Sequence, residues 1–392
     1  MKKSFLKLFG LLAMSAAVLT SCSKEDDEPT PPSSSFVADA TNFQGTINDG
    51  TVTLNSTLVY KLTGKIQVNS GATLIIPAGT KIEGMNGTSS YIAVAQGGKI
   101  NVLGTASSPV VFTSGKTNKA PGDWGGLVIC GKAPINIGST TAQSEVADLT
   151  YGGTISNDNS GVLQYLRIEY AGAAFNATKE FNGISFFGVG SGTVVENVEA
   201  YHGADDGFEF FGGTVNTTKL VSIGNEDDQF DWTEGWNGTN SNWYGKLDFG
   251  KGNRGIEADN YEFNFDASPT SNPTISNITL IGPGSTADAN IYTENQAFKL
   301  RRGTKGIFSN IFIKDFKVGF DVEHDQTIAY VANQTLKATA AKFDGIATNT
   351  KGKKTDASSS DVSGIATLSD TATGAGNGAA APSWTAQWTV GF

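Results

Sequence analysis

A block of alternating apolar and polar residues returns several times in the second half of the chain. Asn182-Gly-Ile-Ser-Phe-Phe-Gly188 is followed 24 residues later by Asp206-Gly-Phe-Glu-Phe-Phe-Gly212. Related blocks begin at Asp228, Arg254, Gln296 and Val318. Alternation predicts a β-strand in each block, and a repeat of this length indicates a solenoid. One strand from every repeat, stacked in parallel on the next, predicts an all-β parallel β-helix.

Stacking the repeats places equivalent side chains in columns along the solenoid. Two apolar columns are predicted to fill the interior: Ile184, Phe208, Phe230, Ile256, Phe298 and Phe320, and beside them Phe186, Phe210, Trp232, Ala258, Leu300 and Val322. The outward column between them is Ser185, Glu209, Asp231, Glu257, Lys299 and Asp321. A separate column holds Asn197, Asn277 and Asn310, which predicts a ladder of hydrogen-bonded amides.

The repeats predict a β-helix over residues 42–325, with residues 42–60 capping its exposed first coil. From residue 326 to 392 the pattern fades into a low-complexity region, expected to be loosely packed between residues 348 and 382. Its aromatic end, Trp384–Phe392, is predicted to fold back as a cap over the last coil.

The N-terminus carries the pattern of an export signal. Two lysines precede an apolar stretch too short to span a membrane, which predicts a signal peptide over residues 1–21. Leu19-Thr-Ser-Cys22 resembles a bacterial lipobox, which implies cleavage before Cys22 and a lipid such as palmitate on its sulfur. The alternative is an ordinary signal peptide. Residues 22–41 form an acidic, Pro/Ser-rich tether, whose acidic run resembles the surface-export signal of Bacteroidetes lipoproteins or is simply a solvated linker.

Composition excludes several classes of function. The formal net charge is −10, which argues against nucleic acid as a partner. Cys130 lies in an apolar run and is predicted to pack in the core. Only two histidines accompany it, so a zinc site is not expected.

Several segments resemble a known family. "GDWGGL", "SGVLQYLRIEYAG", "NGISFFGVGSGT", "DDGFEFFGGTVN" and "RGIEADN" are similar to segments of Bacteroidetes β-helix surface lipoproteins, and residues 60–113 resemble the opening coils of secreted right-handed β-helices. The resemblance implies a right-handed parallel β-helix, anchored by lipid in the outer membrane and facing the cell exterior. It implies no enzymatic activity that can be assigned to particular residues.

The outward column predicts an unusual concentration of carboxylates. Neighbouring coils lie about 4.8 Å apart, so Glu209, Asp231 and Glu257 would repel one another. One solution is ion pairing, of Glu257 with Lys299 and of Asp259 with Arg301. A second is Ca²⁺, a cation that prefers clustered carboxylate oxygens, held by four turn aspartates: Asp205, Asp206, Asp227 and Asp228. A third is a raised pKa of the carboxyl groups. Catalysis, by analogy with pectin-degrading β-helices, is a further interpretation of the same residues.

The same surface predicts a ligand site. The candidate ligand-binding residues are Glu209, Asp231, Glu257, Lys299 and Arg301, together with Trp236, Trp243 and Tyr244 in a loop expected to face carbohydrate. The favoured function is non-catalytic binding of an extracellular polymer such as a glycan. The alternatives are a polysaccharide lyase or glycoside hydrolase, and a purely structural or adhesive surface protein.

Overall fold

The computed structural model describes residues 32–248 and 250–392. The signal peptide, Cys22 and the acidic part of the tether lie outside the described residues. Residues 33–392 form one compact unit. Within the described ranges, no helix has the length and apolar character needed to cross a membrane.

The chain is built almost entirely of strands. They are β1 (Phe43–Ile47), β2 (Thr51–Thr53), β3 (Val59–Val68), β4 (Thr73–Pro77), β5 (Lys81–Gly84), β6 (Ile92–Val94), β7 (Lys99–Leu103), β8 (Val110–Ser114), β9 (Leu127–Cys130), β10 (Ala142–Gln143), β11 (Thr150–Tyr151), β12 (Gly161–Glu169), β13 (Ile184–Phe187), β14 (Val194–Tyr201), β15 (Phe208–Phe211), β16 (Asn216–Ile223), β17 (Phe230–Thr233), β18 (Thr239–Lys246), β19 (Arg254–Ala258), β20 (Thr274–Ile281), β21 (Gln296–Leu300), β22 (Gly306–Lys314), β23 (Val318–Glu323), β24 (Leu336–Asp344), β25 (Thr348–Lys353), β26 (Ser359–Ser360) and β27 (Ala366–Leu368). One α-helix, α1 (Asp325–Ala332), and two 3₁₀ turns, Ser363–Ile365 and Ser383–Thr385, complete the described elements.

The strands stack in register as a parallel β-helix, which confirms the predicted fold. Face A is the ladder β9–β13–β15–β17–β19–β21–β23–β25, in which all neighbours pair in parallel. The longer strands β12, β14, β16, β18, β20, β22 and β24 form a second parallel ladder. Each bends at one residue with positive φ, so its first half lies on face B and its second half on face C.

The predicted asparagine ladder lies at this bend. Asn197, Asn242, Asn277 and Asn310 all have φ between 51 and 61°, a left-handed conformation that asparagine tolerates better than most residues. Asn277 Nδ2 donates to Asn242 Oδ1 at 3.1 Å, and Asn310 Nδ2 donates to Asn277 Oδ1 at 2.8 Å. The backbone therefore explains both the residue type and the ladder, with Asn242 as a member that the sequence did not reveal.

Both predicted interior columns are confirmed. Phe208 pairs with Phe230, and Phe230 with Ile256, and all three are fully buried. The rings of Phe208 and Phe230 stack with their centroids 5.6 Å apart. Cys130 is buried as well, as predicted. Aromatic stacking along the axis adds to the area that each coil buries against the next.

The C-terminal region differs from the prediction. The solenoid continues past residue 325, because β24 pairs in parallel with β22 and β25 with β23. The aromatic end does not cap the last coil: Trp388 is fully buried against the outer side of face C, beside Val221, Ile223 and Tyr244. These three outward positions are apolar and would otherwise be exposed to water, which explains why the tail packs there.

Candidate functional site

The outward column of face A has the predicted register. Glu209 pairs with Asp231, and Asp231 with Glu257, on successive coils. The loops beside face A build a second apolar cluster on its outer side, so this surface is partly covered. That outer cluster contains Ile135, Val146, Tyr151, Phe181, Phe187 and Phe211 among its members. The side chains of this column are therefore less hydrated than they would be on an open sheet face.

The carboxylates gather beneath this cover into what we call the carboxylate cluster: Asp205, Asp206, Glu209, Asp227, Asp228, Asp231 and Glu257. Within it, three groups have ligand oxygens that all lie within 4.8 Å of one another: Asp205–Asp206–Asp227, Asp206–Glu209–Asp231 and Asp228–Asp231–Glu257. The four predicted metal-binding aspartates fall into two of these groups. Asp205, Asp206 and Asp227 lie together, whereas Asp228 groups with Asp231 and Glu257.

Hydrogen bonds fix most members of the cluster. Asp206 Oδ1 accepts the Asp228 N–H at 2.9 Å, and Asn182 Nδ2 donates to Glu209 at 2.6 Å. Asp228 accepts from the Arg254 N–H at 2.8 Å and from its guanidinium at 3.0 Å. Asp231 Oδ1 and Glu257 Oε1 are buried without a hydrogen-bond partner among residues 32–248 and 250–392, but Glu257 Oε1 lies 2.9 Å from the Arg254 guanidinium.

Burial and the nearby carboxylates raise the pKa of several members of the cluster: Asp205, Asp206, Glu209, Asp228 and Asp231. Loss of hydration, followed by the nearby carboxylates, raises the pKa of Asp205 to about 8. Burial likewise raises the pKa of Asp206, Glu209 and Asp231 well above the ordinary range. For Asp228 burial is again the largest cause, and Arg254 opposes it. At neutral pH the cluster must therefore hold protons or gain a cation.

The basic residues lie on the adjacent coils and are held by different carboxylates. Lys299 pairs with Asp321 at 3.3 Å and with Glu323 at 2.7 Å. The predicted Glu257–Lys299 pair is wrong, since Glu257 is bound by Arg254 at 2.9 Å and by Arg301. The predicted Asp259–Arg301 pair is confirmed at 2.9 Å. The two guanidinium groups occupy Glu257, so Lys299 reaches toward the next coil instead.

These cations form one wall of an open cleft of about 560 Å³, which we call the cationic cleft. Its charged lining consists of six basic side chains and two carboxylates: Arg254, Lys299, Arg301, Lys317, Lys351, Lys353, Glu294 and Glu323. Lys351 and Lys353 keep 48% and 42% of their side-chain surface exposed, although each binds a buried carboxylate. Most of the charges that face the cleft are thus positive, and the compensating carboxylate Asp321 is fully buried behind them, whereas Glu323 shares the lining.

The sequence did not reveal three of these cations. Lys351 and Lys353 fall in the stretch that was expected to be loosely packed, but they lie on β25. Lys351 continues the column of Lys299 and Asp321, and Lys353 pairs with Glu323. Their spacing of two residues, which is that of a strand, was the available signal. Lys317 precedes β23 and is exposed, without an ion pair in the described part of the chain. None of the seven carboxylates of the cluster lines the cationic cleft, although Arg254 and Arg301, which line it, bind Asp228 and Glu257.

The prediction that an aromatic loop faces carbohydrate is wrong. Trp236 and Trp243 are fully buried, and both stack on Phe210, with ring centroids 4.1 and 5.9 Å away. Tyr244 is buried beneath the tail, where its hydroxyl donates to the Ala379 carbonyl at 3.2 Å. The Asn/Gly-rich spacing that suggested a loop is a tight corner followed by β18, whose large residues fill the interior.

Comparison with known proteins gives one extensive match. The family described as "Pectate-lyase like beta helix domain" matches residues 45–389. No curated protein resembles the chain significantly. Among solved structures, the enzymatically active domain of tailspike protein 2 from bacteriophage CBA120 shares 11% identity, with a TM-score of 0.22. That alignment covers 74% of this chain and 39% of the tailspike chain, and its score is too low to inform the function of this protein.

Proposed function

The chain belongs to the pectate-lyase-like β-helix family, and from that premise we propose that its cationic cleft binds an acidic polysaccharide without cleaving it. The observation that carries the proposal is the concentration of six basic side chains around one cleft of about 560 Å³. Carboxylate or sulfate groups on a sugar chain are the ligands that such a wall favours, because charge-assisted hydrogen bonds are stronger than neutral ones.

Unsatisfied polar atoms at the cleft support this assignment. Arg254 Nε and Gln296 Oε1 are buried and lack hydrogen-bond partners within the described ranges, and both residues line the cleft. A ligand with carboxylates and hydroxyls could supply both missing hydrogen bonds, one to the donor and one to the acceptor. Without a ligand, two buried polar atoms that lack partners lower the stability of the fold. Lys317, Lys351 and Lys353 stand at the open side, where they would attract a polyanion from solution.

Binding fits the geometry better than cleavage does. A lyase needs a base to remove a proton from the sugar, but the Lys299 ammonium donates to Asp321 and Glu323 and has no free lone pair. Arg301 is likewise committed to Asp259 and Glu257. A hydrolase needs two available carboxyl groups, but Glu323 is bound by Lys299 at 2.7 Å and by Lys353, and Glu294 accepts from Gln296 Nε2 at 2.8 Å. We therefore keep lyase and hydrolase activity as alternatives that the test below separates.

Isothermal titration calorimetry with polygalacturonate tests the proposal. We expect binding that weakens as salt rises, and a loss of at least tenfold in affinity for the double variant Lys351→Ala/Lys353→Ala. The double variant Lys337→Ala/Lys342→Ala on β24 is the matched control and should bind like wild type. Equal binding by both variants, or none by wild type, would contradict the proposal and favour a structural or adhesive role. Ultraviolet-absorbing unsaturated products or new reducing ends would instead show a lyase or a hydrolase.

We also propose that the carboxylate cluster holds Ca²⁺. The unpartnered Asp231 Oδ1 supports this, since Asp231 belongs to two of the three groups whose oxygens lie within 4.8 Å. Oxygen ligands at such spacing suit a hard cation, and a bound ion would offset the repulsion that raises the pKa of these groups. In this role Ca²⁺ supports face A beneath the cleft.

The cellular location of the protein is a further proposal, which rests on the sequence of its N-terminus. We propose that lipid on Cys22 anchors the β-helix in the outer membrane of a Bacteroidetes-type cell, with the cleft facing outward. In membrane fractionation, Cys22→Ser should release the protein, whereas the control Ser21→Ala should stay anchored. Anchoring of Cys22→Ser at the wild-type level would disprove the lipid anchor.

A further inference from the structure

A second cleft lies beside face A and differs from the first in chemistry. It has a volume of about 740 Å³ and is formed by the loop segments 134–140, 153–154 and 261–268. Among the described residues, no acidic or basic side chain lines it. Its polar lining consists of small amides and hydroxyls: Asn136, Ser139, Thr140, Thr154, Asn264 and Ser268. We call it the neutral cleft.

An aromatic pair stands at the edge of the neutral cleft. Tyr261 lines it, and the Phe263 ring meets the Tyr261 ring edge to face at 5.5 Å. Phe263 is 78% exposed, the most exposed aromatic side chain in the described part of the chain. Exposing a phenylalanine to this extent has a cost in water, and such residues commonly mark a binding surface.

The loop that carries this pair is fixed at its base. Buried Asn260 donates to the carbonyls of Phe265 and Ala267 at 3.1 and 2.9 Å, and its Oδ1 accepts from Asn136 at 2.7 Å. Arg302 pairs with Asp259 at 2.8 Å, just before the loop. The aromatic pair is therefore held in place, and a ligand does not have to order it.

Asn136 gives an independent sign of a ligand. It lines the neutral cleft, is 4% exposed, and uses its Nδ2 group on Asn260 and the Pro269 carbonyl. Its Oδ1 has no hydrogen-bond partner in residues 32–248 and 250–392. A buried amide oxygen without a partner is an acceptor available to a hydroxyl donor, after a small shift of the surrounding loop.

From these features we propose that the neutral cleft binds an uncharged saccharide. The C–H face of a sugar ring stacks on an aromatic ring, and its hydroxyls bond to amides and hydroxyls without needing a charge. A neighbouring cleft shares Pro134 and adds Asn237, Thr270 and Asn272, with Lys305 as its one charged lining residue, which extends the polar surface for a chain of several sugars. This site is separate from the cationic cleft and does not depend on the function proposed for it.

Affinity electrophoresis in gels containing galactomannan, xyloglucan or laminarin tests this inference. Wild type should be retarded by at least one of these neutral polymers, and Tyr261→Ala and Phe263→Ala should each weaken that binding about five- to tenfold. Phe392→Ala is the control: it removes a half-exposed aromatic ring in the C-terminal tail and should leave binding to the neutral polymer unchanged.

Each outcome decides the question. Retardation by none of the three polymers, or equal retardation of wild type and both loop variants, would overturn the assignment. Because Phe263 is exposed, its truncation should leave the melting temperature unchanged, so lost binding would not reflect unfolding. Lys351→Ala/Lys353→Ala should keep its binding to the neutral polymer, which separates this site from the cationic cleft.

Discussion

Replacing Asp231 by asparagine should stabilise the protein when Ca²⁺ is absent. Asp231 lies within 4.8 Å of carboxylates on both neighbouring coils, and its Oδ1 has no partner among the described residues. Two unit charges at that distance repel by about 3 kcal/mol at an effective dielectric constant of 20. Asparagine keeps the shape, removes the charge and offers an N–H₂ donor to Glu209 or Glu257. Allowing for the lost attraction to Arg301, we expect a gain of about 2–4 kcal/mol at pH 8.

The direction of the pH dependence follows from the raised pKa. A carboxyl group whose folded pKa lies above its unfolded value contributes stability at low pH and loses it as pH rises through the folded pKa. The gain from Asp231→Asn should therefore be small near pH 4 and largest at pH 8. With an unfolding entropy of about 2.1 cal/mol/K per residue, the expected rise in melting temperature at pH 8 is about 3–5 °C.

Calorimetry in EDTA and in millimolar Ca²⁺ checks this prediction. Ca²⁺ should stabilise wild type by about 2.7 kcal/mol at a hundredfold excess over Kd, and so raise its melting temperature. It should affect Asp231→Asn much less. Asp321→Asn is the matched control, in the same column but paired with Lys299 and Lys351. Breaking those pairs should cost about 3–5 kcal/mol. A destabilised Asp231→Asn in EDTA at pH 8 would refute the electrostatic reasoning, and an unchanged Ca²⁺ response would refute the metal site.

Three further predictions concern the core, the tail and a buried acid. Phe230→Ala should cost about 3–5 kcal/mol in chemical denaturation, because the fully buried ring stacks on Phe208 and Trp243; a cost below 1 kcal/mol would contradict its place in the core. Trp388→Ala should release the tail from face C, which limited proteolysis would detect as early cleavage near the C-terminus, and wild-type resistance would contradict that contact. Burial raises the pKa of Glu234 to about 7, so this group should lower stability in EDTA by up to about 3 kcal/mol between pH 4.5 and 7, in addition to the effect of the carboxylate cluster. Glu234→Gln should show a pH dependence weaker by this amount, and an unchanged dependence would contradict the prediction.

The sequence predicted the register of the solenoid because the alternation within each repeated strand shows which side chains face the interior. Phe208, Phe230 and Glu209 fall where the alternation places them, since a shift by one residue would turn each apolar side chain toward water. The C-terminal coil was not predicted, because β24 and β25 contain alanine, threonine and lysine in place of large apolar residues. Their pairing is imposed by the preceding coils, which is a tertiary effect.

The candidate site was predicted in part for similar reasons. Which residues share a column follows from the repeat, so the stacking of Glu209, Asp231 and Glu257 was expected. Which charges form ion pairs does not follow from the repeat, because Arg301 reaches back to Glu257 on the preceding coil while Lys299 reaches forward to Asp321 and Glu323 on the following one. Burial of Trp236 and Trp243 was also hidden, since aromatic residues beside a corner can lie on either side of the sheet.

A crystal structure of the protein with a trigalacturonate ligand is the most direct test of whether the cationic cleft binds an acidic polysaccharide. We expect the ligand in this cleft, with a sugar carboxylate within hydrogen-bond distance of Arg254 Nε or of the ammonium groups of Lys351 and Lys353. A ligand bound away from these residues, in crystals whose cleft is free of lattice contacts, would contradict it.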